Sequence, residues 1–377
     1  MVQGPPSGEM VVQTVLGDIP ADSLGKTMCH EHLLVDQGHI SFRPPDRPED
    51  APLADRPVAL DIFGWLQWNW MSNHDNLVLD SESLAIDELR MYKRAGGDSL
   101  IDCTLPGIGR DPGGLVRISR AVGLHIVMGA GYYVGATYPA YVAGMSEDDI
   151  TAEIIREFRV GVGDTGIRAG SIGEIGSSVP ITEEEKKVFR AAGRAQAELG
   201  CGLTTHPGRV RDSPFEIIEL LRGAGADLSR VVIGHIDRTV PDIDGLRRIA
   251  EAGCFVQYDL FGTETTATFP YQHYGIDMPS DAQRLDRIAA LVKAGHGDQL
   301  LVAHDVGSKH RTRRYGGVGY DHFLRDIVPW MPKRGFDQAT IQKIIVDNPR
   351  RAFAMTVVQR SDDAKAKARD RVGGVAA

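Results

Sequence analysis

The sequence predicts one α/β domain built as a (β/α)8 TIM barrel, with a long loop after the first strand. Two observations carry this reading. Eight short apolar, β-rich runs recur, each followed by a turn and then by helical apolar spacing, and such alternation implies βαβ units around a parallel sheet. Eight is also the number a closed barrel needs, whereas open doubly wound sheets have about five or six strands. No Gly-x-Gly-x-x-Gly follows the first run, which counts against a dinucleotide-binding fold.

The strands are expected at 26–32, 99–103, 125–130, 171–175, 202–206, 231–235, 254–259 and 299–305. Between them, 81–95 and 147–159 have helical apolar spacing. Segment 182–199 opens with Thr182 followed three residues on by Glu185, a capping-box signature, and 281–294 and 337–346 have acidic starts. Two segments break the rhythm. Residues 41–57, rich in Pro, Asp and Arg, read as a long loop, and the aromatic patch Phe63, Trp65, Trp68 and Trp70 that follows is expected to be a lid, core packing or a contact surface. The barrel is expected over 1–360, with 361–377 as a flexible charged tail.

Composition sets the class of protein. Of 377 residues, 42% are hydrophobic and 25% charged, with 43 glycines, as in a soluble globular domain with many tight turns. A net charge of −9 argues against a nucleic-acid partner, which needs a clustered basic face. Cys29, Cys103, Cys201 and Cys254 lie far apart with no Cys-x-x-Cys spacing, so buried free thiols in a reducing compartment are expected. There is no cationic leader with an apolar core and no apolar stretch of membrane-spanning length, so no membrane association and a cytoplasmic location are expected.

The polar residues at the strand ends carry the chemistry. His30 and His32 are two apart on a strand and so face the same side, which can be the barrel interior at its C-terminal end. Glu174, His206, His235 and Asp305 each follow an apolar run, in SIGE, GLTTH, VVIGH and LLVAHD. A core or rim role explains any one of these histidines, but it would have to hold independently at five strand ends. Four imidazoles and two carboxylates converging at one barrel mouth are enough for two divalent ions, with Glu174 as a bridge.

With these motifs, the chain resembles the phosphotriesterase-like branch of the amidohydrolase superfamily. The carrying segments are GKTMCHEHLLVD, RAGSIGEIG, TTHPGR, VVIGHIDRT and LVAHD. GEIG and RRYGGVGYDHFLRDIVP make it most similar to the phosphotriesterase-related proteins within that branch. The resemblance implies that His30, His32 and Asp305 hold the more buried metal and His206 and His235 the more exposed one. Glu174 and a hydroxide would bridge them. Phosphotriesterases proper use a carboxylated lysine where this chain has Glu174, which counts against phosphotriester chemistry. The resemblance further implies that Asp305 accepts the proton of the attacking water and that Asp237 relays it outward, although the relay's histidine partner falls near Leu260.

Other polar residues at the same end are expected to contact substrate. Arg209 can hold an anionic group in a bidentate fork. Arg238, beside Asp237, has a weaker claim, since pairing with a carboxylate explains it equally well. Tyr133, Tyr258, Asp259, Lys309 and His310 are placed for contact, each with an equal claim to a packing or loop role, and Tyr315 closes a turn.

The expected activity is therefore hydrolysis of a carboxylic ester, lactone or N-acyl amide by metal-hydroxide attack, with two divalent metal ions, zinc foremost, as cofactors. The alternatives are organophosphate triester hydrolysis and a non-catalytic metal- or ligand-binding barrel. The partner is a small molecule, anionic if Arg209 serves it, and the aromatic patch leaves homodimerisation open.

Overall fold

Eight parallel strands hydrogen-bond in chain order in a computed structural model that describes residues 10–264 and 274–356. They are Thr27–Glu31, Ser99–Asp102, His125–Ala130, Ser171–Gly176, Leu203–His206, Val231–Ile233, Phe255–Tyr258 and Leu300–Val302. The last and first strands meet through Asp305 N–H, which donates to His30 C=O at 3.1 Å. Helices Glu82–Arg94, Pro112–Val122, Glu147–Arg159, Glu183–Leu199, Ser213–Gly223, Ile243–Glu251 and Asp281–Lys293 follow successive strands. The chain is thus a (β/α)8 TIM barrel.

Strand parity divides the core in two. Met28, Leu100, Ile126, Leu203 and Val256 face outward into the helix layer, and Cys29, Ile101, Val127, Val232 and Leu301 fill the barrel interior. The helices begin where local chemistry favours a start. Ser146, Thr182 and Ser280 cap their helices in reciprocal capping boxes with Asp149, Glu185 and Gln283, each cap contributing about 1 kcal/mol.

Several expectations need correction. The sixth and eighth strands stop at Ile233 and Val302, so His235 and Asp305 lie beyond the ladder. The last expected helix, 337–346, is instead Gln338–Gln342, a π-helical turn Lys343–Asp347 and the helix Asn348–Phe353. An antiparallel hairpin, Met10–Thr14 with Gly17–Pro20, precedes the barrel. The aromatic patch has no single role: Trp65 packs on Val58, Ile62 and Leu66, Phe63 and Trp70 line the cavity described below, and Trp68 is 55% exposed. The tail 361–377 lies outside the described residues. Among the described residues no helix is long and apolar enough to cross a membrane, and the four cysteines are buried and unpaired.

Candidate active site

Two irregular strands aim the first ligand candidates. Cys29 packs in the barrel interior, so strict alternation would turn His30 outward; the register of the first strand shifts between Met28 and Glu31, and His30 is fully buried with its ring in the site. The fourth strand shifts likewise between Ile172 and Ile175, at Glu174. His235 (φ 53°) and Asp305 (φ 54°) are the only non-glycine residues with positive φ among those described. Left-handed backbone costs such residues about 1–3 kcal/mol and persists only where the surroundings impose it. At His235 the backbone N–H is held by the Asp259 carboxylate at 2.9 Å. Around Asp305, Glu31 accepts from the backbone N–H groups of His304 (2.9 Å) and Val306 (3.1 Å).

Four imidazoles converge on Glu174. Its Oε2 lies 3.2 Å from His30 Nε2, 2.8 Å from His206 Nδ1 and 3.1 Å from His235 Nε2, and its Oε1 lies 3.4 Å from His32 Nε2. Asp305 Oδ1 is 3.2 Å from His32 Nε2. Glu174 is 2% exposed and the Asp305 side chain 24%, so Asp305 is the one of the two that opens toward solvent. Burial raises the Glu174 pKa, but the facing imidazoles outweigh it and hold the carboxyl well below its usual range. For His32 burial works against the proton, yet the bonds to Asp305 and Glu174 push its pKa up to about 10.

The groups around these rings set their orientation. Asp259 binds His235 Nδ1 at 2.9 Å and His30 Nδ1 at 3.2 Å, so one carboxylate turns two Nε2 atoms toward Glu174. His32 Nδ1 meets Thr104 Oγ1 at 3.0 Å. Asp259 was readable only as one more polar residue after an apolar run; its grip on two rings is visible only in three dimensions. Glu31 carries no motif of its own, and its place between the two candidate ligands His30 and His32 is the one signal in the sequence.

A cavity opens over this cluster, lined by His32, Glu174, His206, His235 and Asp305. Tyr133 and Arg209 line it as expected by position, Tyr133 with its hydroxyl 3.2 Å from both His206 ring nitrogens. Arg209 Nε is buried and has no hydrogen-bond partner among the described residues. Arg238 also lines the cavity, and its Nη2 lies 3.1 Å from His206 Nε2. Leu260, where a relay histidine was expected, is an apolar part of the lining.

Three expected site residues are placed elsewhere. Asp237 is buried beneath the cavity wall, accepting from Arg284 Nε and, at 2.9 Å, from Asp259 N–H. Tyr258 is fully buried in the core cluster and is not part of the lining, because the seventh strand turns it toward the helix layer. Lys309 points to Asp75 on the first-strand loop, 2.5 Å away, so its charge ties two loops together outside the lining.

The cluster passes an internal test for cations. His235 Nε2 and His206 Nδ1 are 2.7 Å apart, His30 Nε2 is buried with no hydrogen-bond partner, and His30, His32 and Glu174, and again Glu174, His206 and His235, offer ligand atoms within 4.8 Å of one another. Such crowding of nitrogen and carboxylate donors suits divalent ions and is costly without them.

Known proteins resemble the chain throughout. The phosphotriesterase family model matches residues 10–353. An N-acetyltaurine hydrolase from Salmo salar is 45% identical over 341 residues, 90% of this chain and 97% of that protein. The Homo sapiens protein of the same name is 42% identical over 344 residues, 90% of this chain and 96% of its own length. A resiniferatoxin-binding protein from Rhodobacter sphaeroides superposes with a TM-score of 0.87 at 38% identity, covering 91% of this chain and 94% of that one.

Proposed function

The chain belongs to the phosphotriesterase family and is a hydrolase, and on that premise we propose that it cleaves the amide bond of a small N-acylated amine bearing an anionic head group. The carrying observation is the pairing, in one cavity, of His32, His206 and His235 around Glu174 with the uncommitted guanidinium nitrogen of Arg209. The N-acetyltaurine hydrolase relatives act on an amide with a sulfonate, which fits that combination.

In this reading His30, His32 and Asp305 would hold one divalent ion and His206 and His235 a second, with the Glu174 carboxylate available to both. Imidazole and carboxylate donors suit zinc, which is the ion proposed. When bound, such a pair lowers the pKa of a coordinated water from 15.7 to about 7 and polarises a carbonyl. The chain's own residues do the rest. Arg209 takes the head group in a charge-assisted fork. Tyr133, whose phenol burial keeps protonated, and Arg238 present donors beside His206. Asp305, open to the cavity, receives the proton of the attacking water on its carboxylate. Asp237 has no part in this scheme. Four unpaired cysteines suit a reducing, cytoplasmic setting.

Purified protein loaded with zinc is assayed against N-acetyl-2-aminoethanesulfonate, neutral N-acetyl amines, acyl esters, lactones and a phosphotriester. Preferential turnover of the anionic amide supports the reading. Phosphotriester turnover with no amide cleavage overturns it.

A further inference from the structure

His310 stands in the short turn Lys309–Arg311 after the eighth strand and lines the cavity. Its tautomer can be deduced from Asn76. Asn76 Nδ2 donates to the Trp70 carbonyl at 2.7 Å, and Asn76 Oδ1 accepts the backbone N–H of His310 at 2.8 Å, so the amide is fixed in one orientation from both ends. The same Oδ1 lies 3.1 Å from His310 Nδ1, which must therefore carry the hydrogen. Ser308 Oγ, also 3.1 Å from Nδ1, is compatible with either role. Nε2 is left as a bare acceptor, with no protein partner among the described residues.

Burial and the neighbouring Arg311 bring the His310 pKa down to about 3, so the ring is neutral at physiological pH. Trp70, stacked at 6.3 Å with an interplanar angle of 25°, helps to hold its plane. An anionic substrate meets a lining rich in donors: Arg209, Arg238, Tyr133 and Arg311. The lining also holds the Glu174, Glu264 and Asp305 carboxylates. A further carboxylate acceptor would add to the charge that repels the head group, whereas a neutral imidazole accepts a hydrogen without adding any.

We propose that His310 Nε2 accepts the N–H of the scissile amide and is a specificity-determining residue that favours secondary amides over esters of the same acyl and head groups. This rests on the reading of the cavity as an N-acyl amide site. A substrate with oxygen in place of N–H leaves a buried acceptor facing a second acceptor, and a polar site built for a donor rejects such an analogue strongly.

The test compares N-acetyl-2-aminoethanesulfonate with its ester counterpart, 2-acetoxyethanesulfonate, using zinc-loaded wild type, His310→Leu and His310→Gln. Intrinsic reactivity differs between the two compounds, so the readout is the change in the amide-to-ester ratio of kcat/KM. We expect that ratio to fall about 30-fold in His310→Leu, a loss in the range of one hydrogen bond in a closed site, and to recover largely in His310→Gln, whose Oε1 can accept. An unchanged ratio in His310→Leu overturns the inference. Calorimetric binding of both compounds to metal-free wild type separates this from the functional reading, since it needs neither turnover nor a folded variant. Tighter binding of the amide supports the role of His310 even if neither compound is cleaved, in which case the proposed amide hydrolysis alone fails. Equal binding, or none, overturns the inference.

Discussion

The carboxylate of Asp259 grips His235 twice, taking its Nδ1 at 2.9 Å and its backbone N–H at 2.9 Å. The double hold keeps a left-handed residue in place and aims Nε2 at Glu174. It also sets the tautomer, with the hydrogen on Nδ1 and the lone pair on Nε2, where a cation would need it.

Asp259→Asn should therefore weaken metal binding about 10- to 100-fold while the barrel stays folded. An amide can replace only one of the two acceptor oxygens, and its NH2 would face a donor. Competition against a chromogenic chelator measures the loss, and wild-type affinity in this variant would contradict the orienting role.

Glu174→Ala should lower bound metal well below the wild-type content, because all four imidazoles face this carboxylate. Elemental analysis after dialysis checks it. Unchanged stoichiometry would remove Glu174 from between the ions.

Arg209→Met should raise KM for an anionic amide about 10- to 100-fold, the range of a hydrogen bond to a charged group, with a smaller effect on kcat. The same variant should treat a neutral N-acetyl amine almost as the wild type does. Equal losses on both substrates would mean that Arg209 supports the fold of its loop instead of reading charge.

What could be read from the chain was local. Apolar runs located all eight strands, and polar residues after those runs located the mouth, because parity and strand ends are properties of a few consecutive residues. Lys309 met the same local rule and Asp237 came from the family's relay position, yet Asp237 turns to Arg284, 47 residues away, and Lys309 to Asp75, 234 residues away. Tyr258 sits one residue before Asp259 and therefore faces the opposite side of its strand. A partner distant in the chain decides where a side chain goes, and periodicity contains no term for it. The shifts at Met28/Glu31 and Ile172/Ile175 escape for a related reason, since register depends on the neighbouring strand.

The pH dependence of stability should report on His322, whose two ring nitrogens lie 2.7 Å from Asp281 and 2.8 Å from Asp326. Burial opposes its charge, but the two carboxylates outweigh that and raise its pKa above 6.5. A raised histidine stabilises fully below the unfolded value near 6.5, and the contribution disappears as pH climbs from there through the folded pKa. His322→Gln should flatten that decline in denaturant titrations across this window. An identical slope in both proteins would mean that the imidazolium contributes nothing.

Asp237→Asn distinguishes an anchor from a proton relay. Arg284 is completely buried and spans three groups: it donates to Asp237, to Asp281 at 2.8 Å and to the Thr263 carbonyl at 2.7 Å. It thereby ties the end of the sixth strand to residues 262–264 of the cavity rim. Removing one carboxylate leaves a buried guanidinium short of a counter-charge, so Asp237→Asn should cost about 3 kcal/mol of stability. The shape of the pH profile for kcat/KM should not change, because the group that titrates in the cavity is untouched. A relay predicts the reverse, with stability retained and the profile altered. The double variant Asp237→Leu with Arg284→Met removes both charges together. It should recover part of the stability lost in Asp237→Asn, since breaking a buried pair costs more than replacing it with apolar groups of similar volume.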